Sequence, residues 1–180
     1  VGMCKAFEED VMTINLNNMN PIEVRVNSEE SQLYNALKLG VRDYFKKTGH
    51  NLAVIGLSGG IDSALTATIA ADALGSDNII GISMPSKYSS EHSKEDAKSL
   101  AENLKIQYKE LPIHSINANI LESLEPFFAQ IEENIAEENI QSRIRGLLLM
   151  GIANKKNALV LNTGNKTETA IGYCTMYGDM

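Results

Sequence analysis

Two periods of apolar residues take turns along this chain. From Ser28 onward, Leu33, Leu37, Val41, Tyr44 and Phe45 recur at spacings of three and four, which predicts an amphipathic helix stopped by Gly49 in a left-handed turn. The pattern then predicts strand LAVIGL (52–57), a helix over 63–74 ended by Gly75, and strand NIIGISM (78–84). A loop PSKYSSEHS (85–93) leads into helix EDAKSLAENL (95–104), strand IQYKELPI (106–113), helices across 115–154, strand ALVLNT (158–163) and the start of one more helix. Strands alternating with helices predict an α/β fold, a doubly wound parallel sheet covered on both faces.

Residues 1–27 break this rhythm. Short alternating pieces, VMTINL and IEVRV, flank the turn-like NLNNMNP, and the segment reads as a linker or the tail of a preceding domain. In NIQSRIRGLLLM (139–150), Ile140, Ile144, Leu147 and Leu148 form one expected buried stripe, while Asn139, Arg143 and Gly146 share another face. A glycine inside a helix costs about 1 kcal/mol relative to alanine, so Gly146 points to close approach of a partner helix or a ligand; a tolerated glycine beside a surface arginine is the plainer reading. The carboxylates of IEENIAEEN (131–139) are expected on a solvated face.

Composition narrows the function. The chain has 180 residues, 43% of them hydrophobic, enough for one good core. A net charge of −7 argues against broad nucleic-acid contact, which relies on Lys and Arg to neutralise phosphates. No apolar stretch is long enough to span a bilayer, and no signal peptide begins the chain, so a soluble, cytoplasmic protein with a small-molecule partner is expected. Cys4 and Cys174 show neither metal spacing nor a disulfide framework, and the three histidines share no metal spacing. The chain begins without Met and ends in YGDM, which reads as part of a longer protein.

The chemistry concentrates in SGGIDS (58–63). A strand, two glycines and a helix start gather backbone N–H groups and the positive helix end in one concavity, which suits an anion. The loop is too short for a Walker-type site and its adjacent glycines fail the dinucleotide fingerprint. Asp62 would repel a bare pyrophosphate, so a functional acid there requires a cation such as Mg²⁺ between them; capping the helix is the alternative use of the same residue. LNTGNKTE (161–168) repeats the strand, Gly turn and helix start, and puts Glu168 in a first helical turn. Ligands of open α/β sheets bind where the strand order reverses. With order 3-2-1-4, Asp62 and Glu168 would face one pocket. Thr163 at the strand end is either a ligand-bonding group or an ordinary β-branched strand residue.

SGGIDS resembles the pyrophosphate loop of N-type ATP pyrophosphatases, which split ATP between its α and β phosphates. MPSKYSSEHSKEDAKSLAENL (84–104), NIQSRIRGLLLM (139–150) and TGNKTETAIGYCTMYGDM (163–180) extend the likeness to the synthetase domain of NAD synthetases over about residues 28–180. The resemblance implies a Rossmann-like fold of the adenine nucleotide alpha-hydrolase type. It implies amidation of deamido-NAD to NAD through an acyl-adenylate, with release of AMP and pyrophosphate. Ser58, Gly59, Gly60, Ile61, Asp62 and Ser63 would hold the phosphates of ATP, with Asp62 and Glu168 on Mg²⁺. Thr163 would contact ATP, Arg143 deamido-NAD, and Asp179 would lie near the ammonia and nicotinate site. Loop 85–93 resembles the family's mobile lid. Met176 and Ser83 stand where ammonia-dependent members tend to have Lys and Arg, which resembles the glutamine-dependent branch; residues 1–27 would then end a nitrilase-like glutaminase domain. The family also implies a homodimer with the Arg143 helix near its interface. An ammonia-dependent enzyme, a GMP synthetase, and a nucleotide-binding module without turnover are the alternatives; the last has no need of Glu168.

Overall fold

In the computed structural model, residues 2–15, 17, 27–87, 89–129 and 131–179 are described. Four parallel strands, β1 (Ala53–Gly56), β2 (Ile79–Ser83), β3 (Gln107–Glu110) and β4 (Leu159–Leu161), form one sheet of order β3-β2-β1-β4. That is the expected 3-2-1-4. Successive strand side chains point to opposite faces, and the core divides accordingly: Ala53 and Ile55 join one cluster, Val54 the other. On the first face α1 (Glu29–Thr48), α2 (Ile61–Leu74) and α3 (Glu91–Leu104) contribute Phe45, Ala67, Ala70, Ala97 and Ala101. On the second, α4 (His114–Phe128) and α5 (Ile135–Lys156) contribute Ile116, Ile120, Ile144 and Ala153. Both sheet faces are therefore covered, as a hydrophobic parallel sheet requires.

Local signals explain the helix ends. Ser28 caps α1 by accepting from Ser31 N, and Gly49 closes it at φ 73°. α3 starts at Glu91, four residues before the expected position, because Ser90 serves as its N-cap and accepts from Ser93 N at 3.1 Å. The connecting loop is thus 85–90 rather than 85–93. The ladder beyond β3 fades gradually: Leu111 N donates to Ser83 O (2.8 Å) and Ile113 N to Pro85 O (3.0 Å) past the last strand residue.

One expectation about α5 is revised. Leu147 is 70% exposed. The core ridge runs through Ile140, Ile144, Leu148 and Ile152 with Leu149 beside it, and Leu147, seven residues past Ile140, lies about 20° back toward the open side. The carboxylates of 131–139 lie largely as expected: Glu132, Glu133 and Glu138 are exposed, and Glu137, half-buried, serves the start of the helix. Asn134 and Glu137 make a capping box, Asn134 N donating to Glu137 Oε2 at 2.8 Å.

Residues 11–15 of VMTINL carry no helix or strand, and IEVRV lies outside the described residues. Among the described residues no helix is long and apolar enough to cross a membrane.

Phe45 carries α1 onto the sheet and is 2% exposed. Phe45→Ala is expected to cost about 3–5 kcal/mol in urea unfolding, whereas Leu147→Ser should stay within about 0.5 kcal/mol. Equal costs at the two positions would contradict this assignment of core and open faces.

Candidate active site

β1 pairs with β2 on one side and β4 on the other, in the registers Ala53↔Ile79 and Ala53↔Leu159. The turns leaving the carboxyl ends of β1 and β4 are therefore neighbours. The first is SGG. Gly59 sits at φ 82°, and a Cβ there would stand 2.3 Å from Ser93 O, so the loop rests directly on the first turn of α3.

Ser63, 2% exposed, holds that turn closed from within. Its Oγ donates to Gly60 O (2.9 Å), accepts from Ser58 N (3.3 Å) and lies 3.2 Å from Ser58 Oγ, which itself accepts from Gly60 N. With the Ser63 proton committed to Gly60, Ser58 supplies the hydrogen between the two hydroxyls. Gly60 is the N-cap of α2 and no side chain caps this helix, leaving its first N–H groups to an anion. Asp62 is the second residue of the helix, so it is not the cap.

The second turn runs from β4 into α6 (Lys166–Ile171). Asn165 and Glu168 form a capping box: Asn165 Oδ1 accepts from Glu168 N, and Glu168 Oε2 accepts from Asn165 N, each at 2.9 Å. Asn165 Nδ2 also reaches Asp62 Oδ1 at 3.4 Å. One asparagine thereby ties the two carboxylate-bearing turns together.

Two adjoining cavities open over these turns. The smaller, about 250 Å³, is lined by Ser58, Asp62, Ser63, Thr163 and Glu168 among others. The larger, about 1050 Å³, extends over the ends of β1 and β2 and along α5, where Asn139, Arg143 and Gly146 line it. Ser58, Asn162, Thr163, Tyr173, Cys174 and Asp179 border both. Gly59, Gly60 and Ile61 line neither; Ile61 is 79% exposed, which leaves its backbone N–H as the group it can offer an anion.

The segment after α6 is laced along α5. Tyr173 Oη donates to Glu138 Oε1 (2.9 Å), Thr175 Oγ1 to Asn139 Oδ1 (2.9 Å), Ser142 Oγ to Asp179 Oδ2 (3.1 Å) and Arg143 Nε to Met176 O (3.2 Å). The bond to Glu138, reinforced by its charge, raises the Tyr173 phenol above its usual range. Thr175 N donates to the other Asp179 oxygen, and Asn162 Nδ2 to the Asp179 carbonyl. Asp179 thus reaches both cavities with its carboxylate engaged in holding the turn. A Cβ on Gly146 would come within 2.7 Å of Gly178 O, so the close approach signalled by this glycine is made by the chain itself.

Sequence reasoning missed Arg145. It is half-buried, lines the larger cavity and donates from Nε to Met84 O at 3.2 Å. Its signal was present: a charge whose helical neighbours at i+3 and i+4 are Leu148 and Leu149, on the apolar side of α5. Asn162 and Asn165 were also missed, since a sequence does not reveal which neighbouring turn an asparagine will bridge. Among the described residues no three His, Cys, Asp or Glu side chains converge as a metal site of their own.

Residues 33–180 match the model of the NAD synthase family. The chain belongs to the NAD synthase family. It is 56% identical over 152 residues to a glutamine-dependent NAD(+) synthetase of Synechocystis sp., an alignment covering 84% of this chain and 27% of that relative. The structure of a glutamine-dependent NAD+ synthetase from Acinetobacter baumannii, in complex with ADP, superposes with a TM-score of 0.87 at 42% identity, over 89% of this chain and 30% of that one. An NH3-dependent NAD synthetase from Campylobacter jejuni gives a TM-score of 0.77 at 33% identity, over 85% and 64% of the two chains. The chain thus spans about a quarter of the length of the curated relatives it matches. The α/β architecture and strand order are those of the family.

Gly146→Ala should push the 175–179 turn off α5. Amide hydrogen exchange is expected to rise over 173–179 while α2 keeps its protection; unchanged exchange in the turn would show that the glycine is not needed for the contact.

Proposed function

We propose that this chain is the ATP-dependent synthetase part of a glutamine-dependent NAD synthetase, amidating deamido-NAD to NAD. The observation that carries the reading is the convergence of Ser58, Asp62 and Ser63 from the β1–α2 turn with Thr163 and Glu168 from the β4–α6 turn on one small cavity at the strand-order reversal. In this reading ATP lays its phosphates over SGGIDS and the uncapped start of α2, and Thr163 contacts the nucleotide.

The donor set suits Mg²⁺. Asp62 and Glu168 each give one oxygen to Asn165 and keep the other, and Mg²⁺ commonly takes one or two carboxylates plus substrate phosphate oxygens. When bound, the ion neutralises charge on the departing pyrophosphate. The larger cavity, with Arg143 in its wall, receives deamido-NAD. Its nicotinate carboxylate oxygen attacks the α-phosphorus of ATP as the bond to pyrophosphate breaks; ammonia then adds to the acyl carbon, and AMP leaves. The protein's part is to place the carboxylate in line with the α-phosphorus and to stabilise developing charge with preorganised N–H groups. Asp179, fixed by Ser142 and Thr175, lies at the junction of the two cavities, where a group accepting the ammonium proton is needed.

The names of the relatives favour glutamine as the nitrogen source; in this reading residues 1–27 would end a preceding glutaminase domain. Soluble nucleotide substrates and the absence of a disulfide between Cys4 and Cys174 agree with a cytoplasmic enzyme. The reading includes a homodimer with α5 near its interface, where Leu147 and Met150 are exposed; light scattering on the full-length protein should give twice the chain mass, and a monomer would remove this element.

ATP–pyrophosphate exchange in the full-length protein tests the chemistry. Exchange should require deamido-NAD and fall by about 10²-fold or more in Asp62→Ala and in Glu168→Ala, the scale lost when electrostatic stabilisation of a transition state is removed. Exchange that ignores deamido-NAD, or survives both substitutions, would sink the synthetase reading.

A further inference from the structure

Three cations line the larger cavity, and they are not alike. Lys94 is paired with Glu91 at 2.8 Å. Arg143 and Arg145 have no carboxylate within ion-pair distance among the described residues; each donates Nε to a main-chain carbonyl instead. The acids on the same wall are already engaged, Glu138 by Tyr173 and Asp179 by Ser142 and Thr175. Arg145 is the more deeply set of the two. Burial alone pulls its guanidinium below the usual arginine range, with no neighbouring acid to offset it.

A desolvated cation without a counter-ion is costly unless a partner arrives. A hydrophobic residue would pack at this position on the apolar side of α5 at less cost. The bond to Met84 O fixes the orientation of the guanidinium at the end of β2 and uses one of its five N–H groups. Its two terminal nitrogens are not sealed from solvent, so their donors are reachable through the cavity. We propose that Arg145 is a second anion-binding residue of this cavity, a fixed guanidinium fork that receives a phosphate or carboxylate oxyanion of a bound nucleotide. The oxyanion comes either from ATP or from the dinucleotide substrate, and the assignment rests on the reading of the cavity as the nucleotide site.

The test compares the full-length protein with Arg145→Met, which keeps the length and removes the charge, and Arg145→Lys, which keeps the charge and removes the fork. Thermal midpoints are measured without ligand, and affinities for ADP, deamido-NAD and inorganic pyrophosphate by calorimetry. In Arg145→Met the ligand-free midpoint should hold or rise, while affinity for at least one nucleotide falls about tenfold or more, the range for a hydrogen bond to a charged group. Loss confined to ADP assigns the oxyanion to ATP; loss confined to deamido-NAD assigns it to the dinucleotide. Arg145→Lys should fall between, at least about threefold weaker. A lower midpoint with both nucleotide affinities within threefold of the parent overturns the proposal and leaves Arg145 a strut for Met84. Should Arg145→Met not fold, Arg145→Lys decides, and unchanged affinities there overturn it equally. If the parent binds neither nucleotide, pyrophosphate binding that depends on Arg145 sinks the nucleotide reading but keeps the anion site. No binding of any of the three probes sinks both.

Discussion

The parallel ladder between β1 and β4 is the constraint on which this molecule rests. It joins turns whose residues Asp62 and Asn165 are 103 apart in sequence, and it can form only because the chain leaves one sheet face after β3 and returns beneath the other through α4 and α5. Crossing over in this way reverses the strand order and leaves a crevice at the carboxyl ends of the two strands. Everything chemical lies at that crevice: an uncapped helix start, two carboxylates and the mouths of two cavities. A sheet of the same residues wound in one direction would bury its faces as well, but would separate Asp62 from Glu168.

The large-scale order was legible because it is written in periodicity. Runs such as LAVIGL and NIIGISM are too apolar for a half-exposed strand and too short for a helix, and the alternating helices between them leave a parallel sheet as the arrangement that covers both faces. The reversal was harder. It became readable when two segments with the same strand, glycine and acid grammar were set side by side. Boundaries erred where a cap overrode an apolar pattern, as at Ser90, and Leu147 was misplaced because a seven-residue spacing drifts on a straight helix.

Within the site, sequence identified the groups that carry charge more readily than those that aim them. Asp62, Glu168, Arg143 and Asp179 stood out by type and motif. Ser63 looked like one more phosphate-facing hydroxyl, yet its side chain is turned into the loop that it braces. Asn162 and Asn165 drew no notice as single residues; one holds the Asp179 carbonyl and the Gly164 N–H, the other fastens both acidic turns. Such residues act through partners distant in sequence, and a single chain read in order does not reveal the partner.

The contact of Gly59 with Ser93 sets a mechanical limit on the neighbouring loop. With no room for even a methyl group between them, the first turn of α3 is braced against the turn that leaves β1. At the other end Pro85 is anchored by Ile113 N donating to its carbonyl at 3.0 Å. The stretch 85–90 is therefore a tether of six residues with both ends fixed to the floor of the site, and a fully extended chain of that length reaches roughly 20 Å. Half that reach must carry it out and half bring it back. That length keeps the middle of the tether within about 10 Å of its two anchors, too short a reach to sweep the whole cleft.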